Sequence, residues 1–220
     1  MWWAAPVPPE RAGALVALLD VHERARLERL RRPDDRARHL AAHALARLAL
    51  GAVLGAAPAG LQVDRTCRCG GQHGKPRLVG DRLPGFSLTH SGDVVGVAVS
   101  TDHLVGLDVE RRRAIDGLDE LARHVRAPGE DDSGDFFTTW TRKEALLKAT
   151  GDGLATPMAD LELGPGPRLV RWGGARPRSP MWVRDLVVAP GHCAAIAGIG
   201  VAAPPVEVRD GAALLAAAGA

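Results

Sequence analysis

The sequence predicts an α+β protein, and three observations carry that prediction. Apolar residues recur at helical spacing over 10–30, 34–54 and 135–150. Apolar and polar residues alternate at Phe86–His90 and at Val105–Glu110, the pattern of strands with one face turned to a core. The first of these is joined by Ser91-Gly92-Asp93 to a small apolar run, Val94–Ser100, which reads as an antiparallel hairpin.

Residues 1–9, rich in Pro and Trp, read as an irregular arm. Leu15, Leu18, Leu19, Leu27 and Leu30 then give one or two helices over Glu10–Leu30. Pro33 with Asp34 and Asp35 suits the first turn of a new helix running to about Leu54. That helix buries Leu40, Ala44, Leu45 and Leu48 and leaves Arg36, Arg38 and Arg47 for solvent or for an anion. In the polar loop that follows, Cys67, Cys69 and His73 suggest zinc. A structural zinc site wants four ligands in C-x2-C-like spacing, so reduced thiols in a Gly-rich loop are the preferred reading. Gly74-Lys75-Pro76 can bring an ammonium group close to a phosphate, but the spacing of a P-loop is missing. In the hairpin, Phe86, Leu88 and His90 share one face, which places the imidazole at its mouth beside the hydroxyls of Thr89 and Ser91. Ala114–Arg126 reads as a helix, Pro128–Asp135 as an acidic loop with capping chemistry, and Asp135–Thr150 as a second helix. A Pro/Gly-rich connection leads to strands around Met181–Val183 and Leu186–Val188. The last strand, His192–Ile199, echoes Ser91–Ser100 and hints at a two-fold repeat. The Ala-rich residues from about 204 read as a loosely held tail.

Composition narrows the class. The 220 residues suffice for one good core or two closely joined units, and 25% charged with 46% hydrophobic residues are ordinary globular values. A net charge of +2 excludes little, and the basic bias is confined to Arg24–Arg47. The uncharged run Leu48–Val63 falls short of the ~20 residues a spanning helix needs and is broken by glycines and Pro58. The start lacks a basic n-region, so the expectation is a cytoplasmic chain with no membrane association. Three cysteines do not make a disulfide framework.

The chemistry gathers at two places. In Val105-Gly106-Leu107-Asp108-Val109-Glu110 both carboxylates face one side of the strand, and their repulsion is relieved by a proton or by a divalent cation. On a helical wheel with Trp140 at zero, Phe136, Phe137 and Leu147 lie within about 60°, and Glu144 falls inside the same stripe. A carboxylate on an apolar face must be protonated, ion-paired or bound to a cation, and Lys143 and Lys148 flank it. Three acids, two lysines and a Lys-bearing turn suit a magnesium-dependent enzyme acting on a pyrophosphate.

Gly74-Lys75-Pro76, Phe86-Ser87-Leu88-Thr89-His90-Ser91, Gly106-Leu107-Asp108-Val109-Glu110 and Trp140-Thr141-Arg142-Lys143-Glu144-Ala145-Leu146-Leu147-Lys148 stand in an order and spacing that resembles the Sfp-type 4′-phosphopantetheinyl transferases. The resemblance implies a pseudo-dimer of two similar α+β halves, each a small antiparallel sheet packed with helices, with the active site in the cleft between them. The halves would be 1–104, the coenzyme A-binding face, and 105–220, carrying the metal and transfer residues. It implies transfer of the phosphopantetheine arm of coenzyme A to a serine of an apo acyl or peptidyl carrier protein domain, in fatty-acid, polyketide or nonribosomal-peptide synthesis. Adenosine 3′,5′-bisphosphate would leave. By position, Asp108, Glu110 and Glu144 match the ligands of Mg2+ or Mn2+. Lys75, Thr89 and His90 match contacts near the nucleotide and its 3′-phosphate, and Lys143 and Lys148 match contacts to the diphosphate. Arg38 is the best match for a further 3′-phosphate contact, with Arg26 and Arg32 as alternatives. The general base stays open among Lys148, Glu130 and a metal-bound water, with Glu144 beside them in the catalytic set. Ser87 and Thr89 stand where Asn and Ser are frequent in the family. The expected state is a monomer that binds no nucleic acid. The rival readings are a metal-dependent hydrolase of coenzyme A or nucleotide diphosphates, and a non-catalytic basic module binding nucleic acid through Arg24–Arg47.

Overall fold

The first strand forms where the sequence predicts an irregular arm. In the computed structural model, which describes residues 1–67, 69–80, 84–130, 134–173 and 179–219, strand β1 (Trp2–Ala4) is an interior strand of a four-stranded sheet. Burial of aromatic surface explains it: Trp2 is buried, and the ring of Trp3 lies over Gly96, where any Cβ would collide with it. Three helices follow, α1 (Gly13–Leu18), α2 (Val21–Arg29) and α3 (Pro33–Leu54). Helix α2 opens with a capping box, Asp20 accepting from the Glu23 amide at 2.9 Å and Glu23 from the Asp20 amide at 2.8 Å. Helix α3 starts on Pro33, as expected, and stops at Gly55, whose φ of 65° suits only glycine comfortably.

After the short ribbon β2 (Val63–Asp64) and β3 (Arg77–Leu78) come β4 (Gly85–Ser91), β5 (Val94–Ser100) and β6 (Val105–Arg111). The second half contains α4 (Leu118–Val125), α5 (Phe136–Thr150), β7 (Leu161–Leu163), β8 (Leu169–Trp172), β9 (Met181–Leu186), β10 (His192–Ile199), β11 (Arg209–Asp210) and α6 (Gly211–Gly219). The larger sheets run β11-β1-β5-β4 and β6-β10-β9, and β4–β5, β6–β10 and β9–β10 all pair antiparallel. Helix α3 covers β4 and β5 with Leu40, Ala41, Ala44, Leu45 and Ala49. Helix α5 covers β6 and β10 with Ala145, Leu146, Leu147 and Ala149. The architecture is α+β, each larger sheet carrying a long helix.

Two expectations are corrected. The Ala-rich tail is not loosely held: β11 pairs parallel with β1, and α6 packs against α1 and α3 with Leu215 buried. Alanine lets α6 approach closely, and Gly211 lies where a Cβ would sit 2.7 Å from the Trp3 carbonyl oxygen. Arg47 is neither exposed nor free for an anion. It is fully buried, with Nε on Glu23 at 2.6 Å and Nη2 on Asp20 at 2.7 Å. Arg65 joins the same two acids, so the network anchors the loop after α3 onto α2. In the acidic loop, 131–133 lie outside the described residues, while Asp135 caps α5 by accepting from the Thr138 amide at 2.9 Å. Among the described residues no helix is long and apolar enough to cross a membrane.

Candidate active site

The site is set by how closely one helix crosses one strand. At Gly106 on β6 a Cβ would collide with the Ala145 carbonyl oxygen and the Ala149 amide of α5, so only glycine lets the helix lie this near. Helix α5 thereby presents Lys148 to β6: its Nζ donates to Asp108 Oδ1 at 2.6 Å and to the Leu107 carbonyl at 3.2 Å. Glu144, one turn earlier, lies close enough for its charge and that of Glu110 to raise the carboxyl of Asp108.

A ladder of hydroxyls joins β4 to β6. Ser87, Thr89 and Ser91 alternate along β4 and accept from the amides of Leu107, Val109 and Arg111 at 3.0, 3.1 and 3.1 Å. These β6 amides lie on the side away from β10, and side chains satisfy them where a neighbouring strand normally would. The ladder also fixes the acids: Thr89 donates to Asp108 Oδ1 at 3.2 Å, and Ser91 to Glu110 Oε2 at 2.8 Å. Glu110 is held on its outer side by Arg113 at 3.2 Å.

Asp108 is the most strained group of the cluster. Burial pushes its carboxyl up to about 6; Lys148 opposes that rise, and Glu144 and Glu110 add to it. Its Oδ2 is buried and accepts no hydrogen bond, although an unsatisfied buried oxygen is costly. Glu144 is raised as well, by burial first and then by Glu110, against the pull of Lys148. An orphaned oxygen of a buried carboxylate, with two further acids nearby, is a donor set that suits a hard divalent cation such as Mg2+, which takes a few oxygen ligands and keeps waters or phosphate oxygens in the rest.

A basic rim stands beside the acids. His90 lies on the face of β4 opposite Thr89, near Arg38 and His43 of α3 and near Lys148. Crowding by protein, then the charges of Lys148, His43 and Arg38, push its imidazole down to about 4, although part of the ring stays open to solvent. Arg38 donates to the Gly92 carbonyl of the hairpin turn at 2.9 Å and to Asp35 at 2.6 Å. His43 stacks on His39 at 4.2 Å between ring centres and is held by Glu23 at 3.0 Å. Sequence reasoning missed His43; its only signal was helical spacing to His39, which gives no hint of what lies across from it. Lys75 reaches the far end of the same crossing, Nζ donating to the Val105 carbonyl at 2.8 Å and the Ala149 carbonyl at 3.0 Å. Burial, then Arg77, bring its amine down to about 7.

Two expected residues are placed elsewhere. Lys143 is fully buried on another face of α5, donating to Glu130 Oε2 at 2.7 Å and to the carbonyls of Val125 and Met158 at 2.7 and 3.2 Å. Glu130 also accepts from the amides of Ala127 at 2.8 Å and Leu163 at 2.7 Å. The pair ties α5 to the preceding loop and to β7, and Lys143 and Glu130 spend their bonds on each other and on backbone groups. Lys143 and Lys148 fall on opposite sides of Glu144 on a wheel, about 100° and about 40° away, and β6 packs against the Lys148 side. Thr89 spends its hydroxyl on Asp108 and Val109, so it stands in the junction as a support of the acid cluster. Arg26 and Arg32 are exposed.

Known proteins share much of this sequence. A family model described as the 4′-phosphopantetheinyl transferase superfamily matches residues 104–196, the span that holds β6, α5 and the first part of β10. The chain is 34% identical over 169 residues to the 4′-phosphopantetheinyl transferase HetI of Nostoc sp., a match covering 70% of this chain and 69% of that one. It is 33% identical over 165 residues to a putative 4′-phosphopantetheinyl transferase of Synechocystis sp., covering 70% and 65%. A 4′-phosphopantetheinyl transferase of Bacillus pumilus is 38% identical over 93 residues, covering 38% and 39%.

Proposed function

Because the chain belongs to the 4′-phosphopantetheinyl transferase superfamily, we propose that it moves the 4′-phosphopantetheine arm of coenzyme A onto a serine hydroxyl of an apo acyl or peptidyl carrier protein and releases adenosine 3′,5′-bisphosphate. The observation that carries the reading is the buried, unbonded Oδ2 of Asp108, beside Glu110 and Glu144 and against Lys148, at a strand–helix crossing that glycine alone permits. Asp108, Glu110 and Glu144 would hold Mg2+. When bound, the ion supplies neutralisation of charge on the diphosphate oxygens.

The chain's own groups divide the remaining work. Lys148, about a third exposed, is the lysine able to donate to a diphosphate oxygen while still tethered to Asp108. Arg38 offers positive charge to the phosphates of coenzyme A, and the rings of His43 and His90 offer hydrogen bonds beside it. Lys75 acts from behind, fixing the end of α5 against β6. The serine hydroxyl needs an acceptor for its proton beside the acid cluster, and Lys148, tethered to Asp108 and partly exposed, is the group placed to orient it. A basic face beside the site matches the acidic helical surface on which a carrier protein presents its serine.

The test is incubation with coenzyme A and Mg2+, with and without apo carrier protein. A carrier heavier by one phosphopantetheine arm, with stoichiometric adenosine 3′,5′-bisphosphate, is the expected outcome. Cleavage of coenzyme A at the same rate without the carrier would make the protein a hydrolase and overturn the proposal.

A further inference from the structure

The loop between β2 and β3 brings together two thiols and an imidazole. Cys67 Sγ, Cys69 Sγ and a His73 ring nitrogen all lie within 4.8 Å of one another, and Cys69 Sγ sits 3.1 Å from His73 Nε2. Zinc–sulfur bonds of about 2.3 Å and zinc–nitrogen bonds of about 2.0 Å in a tetrahedron put neighbouring ligand atoms roughly 3.6–3.8 Å apart, a spacing these donors bracket.

The backbone is shaped to hold them. The Gly70 amide donates to the Cys67 carbonyl at 2.8 Å, and the Cys67 amide to the Gly71 carbonyl at 2.8 Å, closing a tight turn around the first cysteine. Gly70 has a φ of 83°, which excludes most side chains. A Cβ on Gly71 would stand 2.8 Å from His73 Cδ2 and 3.4 Å from Cys69 Sγ, so its bare backbone is what lets the imidazole swing over the thiol. At the base, the Gly74 amide donates to the Arg65 carbonyl at 2.7 Å, and Arg65 is itself clamped to Asp20 and Glu23. The donors thus grow from a fixed root.

We propose that Cys67, Cys69 and His73 form a zinc site that staples this loop, with a solvent molecule in the fourth position. The chemistry of the donors selects the ion: thiolates and an imidazole favour a soft d10 cation and disfavour Mg2+, which asks for oxygen. Cys69 and His73 are exposed, which leaves one side of the tetrahedron to water. Two cysteines one residue apart make a poor disulfide, so the pair suits metal ligation better than a bridge. The staple stands two residues before Lys75, whose Nζ bridges β6 and α5, so it sets the length of chain free to move in front of that bridge. The inference is independent of the acid cluster.

The full chain, purified under reducing conditions, is loaded with Zn2+, desalted and measured for metal by mass spectrometry. Separately, Co2+ is added and thiolate-to-cobalt charge-transfer absorption is recorded. The expected result is one zinc retained per chain and a charge-transfer band, both lost in Cys69→Ser and in His73→Ala and both kept in Cys193→Ser. Asp108→Ala keeps the zinc while losing transfer, which separates this site from the catalytic one. A wild-type chain that retains no zinc and shows no cobalt band, or Cys69→Ser and His73→Ala variants that retain as much zinc as wild type, would overturn the proposal.

Discussion

Asp108 is held in a state it would rather leave. Its carboxyl sits near 6 when folded against an ordinary value of 3.8, so the folded protein binds more protons than the unfolded chain between those two pH values. Stability from this group therefore falls as pH rises from about 4 to 6 and stays lower above, by about 3 kcal/mol. Asp108→Asn should accordingly raise the melting temperature of metal-free protein at pH 8 while abolishing transfer, a pair of effects read by thermal melts in chelator and by the carrier assay. Unchanged stability would mean that Lys148 fully compensates the buried charge. Lys148→Ala should lower the rate of transfer and leave tight binding of coenzyme A largely in place, checked by the split between kcat and KM. Asp108, Glu110, Glu144 and Lys148 were legible in the sequence because periods of 2 and 3.6 put each on a definite side of its own element. Lys143 and His43 were not, since what a side chain meets across a gap is decided by the other element.

At the scale of elements, α3, α5 and β4–β6 were legible to within a residue or two, because each has a long periodic run and a clear stop such as Gly55 or Gly151. The strand β1 was not, being three residues long and recognisable only from what packs on it. The β6–α5 crossing yields the sharpest expectation. Gly106→Ala pushes α5 off β6 and should cost at least about 1–3 kcal/mol in denaturant unfolding, with transfer lost even under conditions where the protein remains folded. Thr89→Val, which keeps the shape and removes the hydroxyl, strands the Val109 amide and should cost about 1–3 kcal/mol. Near α2 the sign with pH reverses. Burial alone would raise the Glu23 carboxyl, but bonds from His43, the Asp20 amide and Arg47 hold it at about 2. Its contribution, about 3 kcal/mol, is present above pH 4.5 and lost as pH falls toward 2. Glu23→Gln should remove that acid-sensitive part of the unfolding curve.

For the whole molecule, the α+β class follows from the sequence, whereas the connection between its ends does not. The Met1 amino group donates to the Glu207 carbonyl at 2.7 Å, and β1 is flanked by β5 on one side and β11 on the other. Nothing in a run of alanines announces such a pairing, since small residues pack only where a surface has been prepared for them. Removing 205–220 should expose Leu45 and Trp3 and lower the melting temperature, measured by calorimetry beside the intact chain. The pairing also has a bearing on synthesis. A ribosome releases Trp2–Ala4 long before Arg209–Asp210, so this sheet waits, one edge bare, while everything between them is made. The nascent protein is thereby exposed to misassembly until Arg209–Asp210 emerge, and slow codons ahead of them would lengthen that interval.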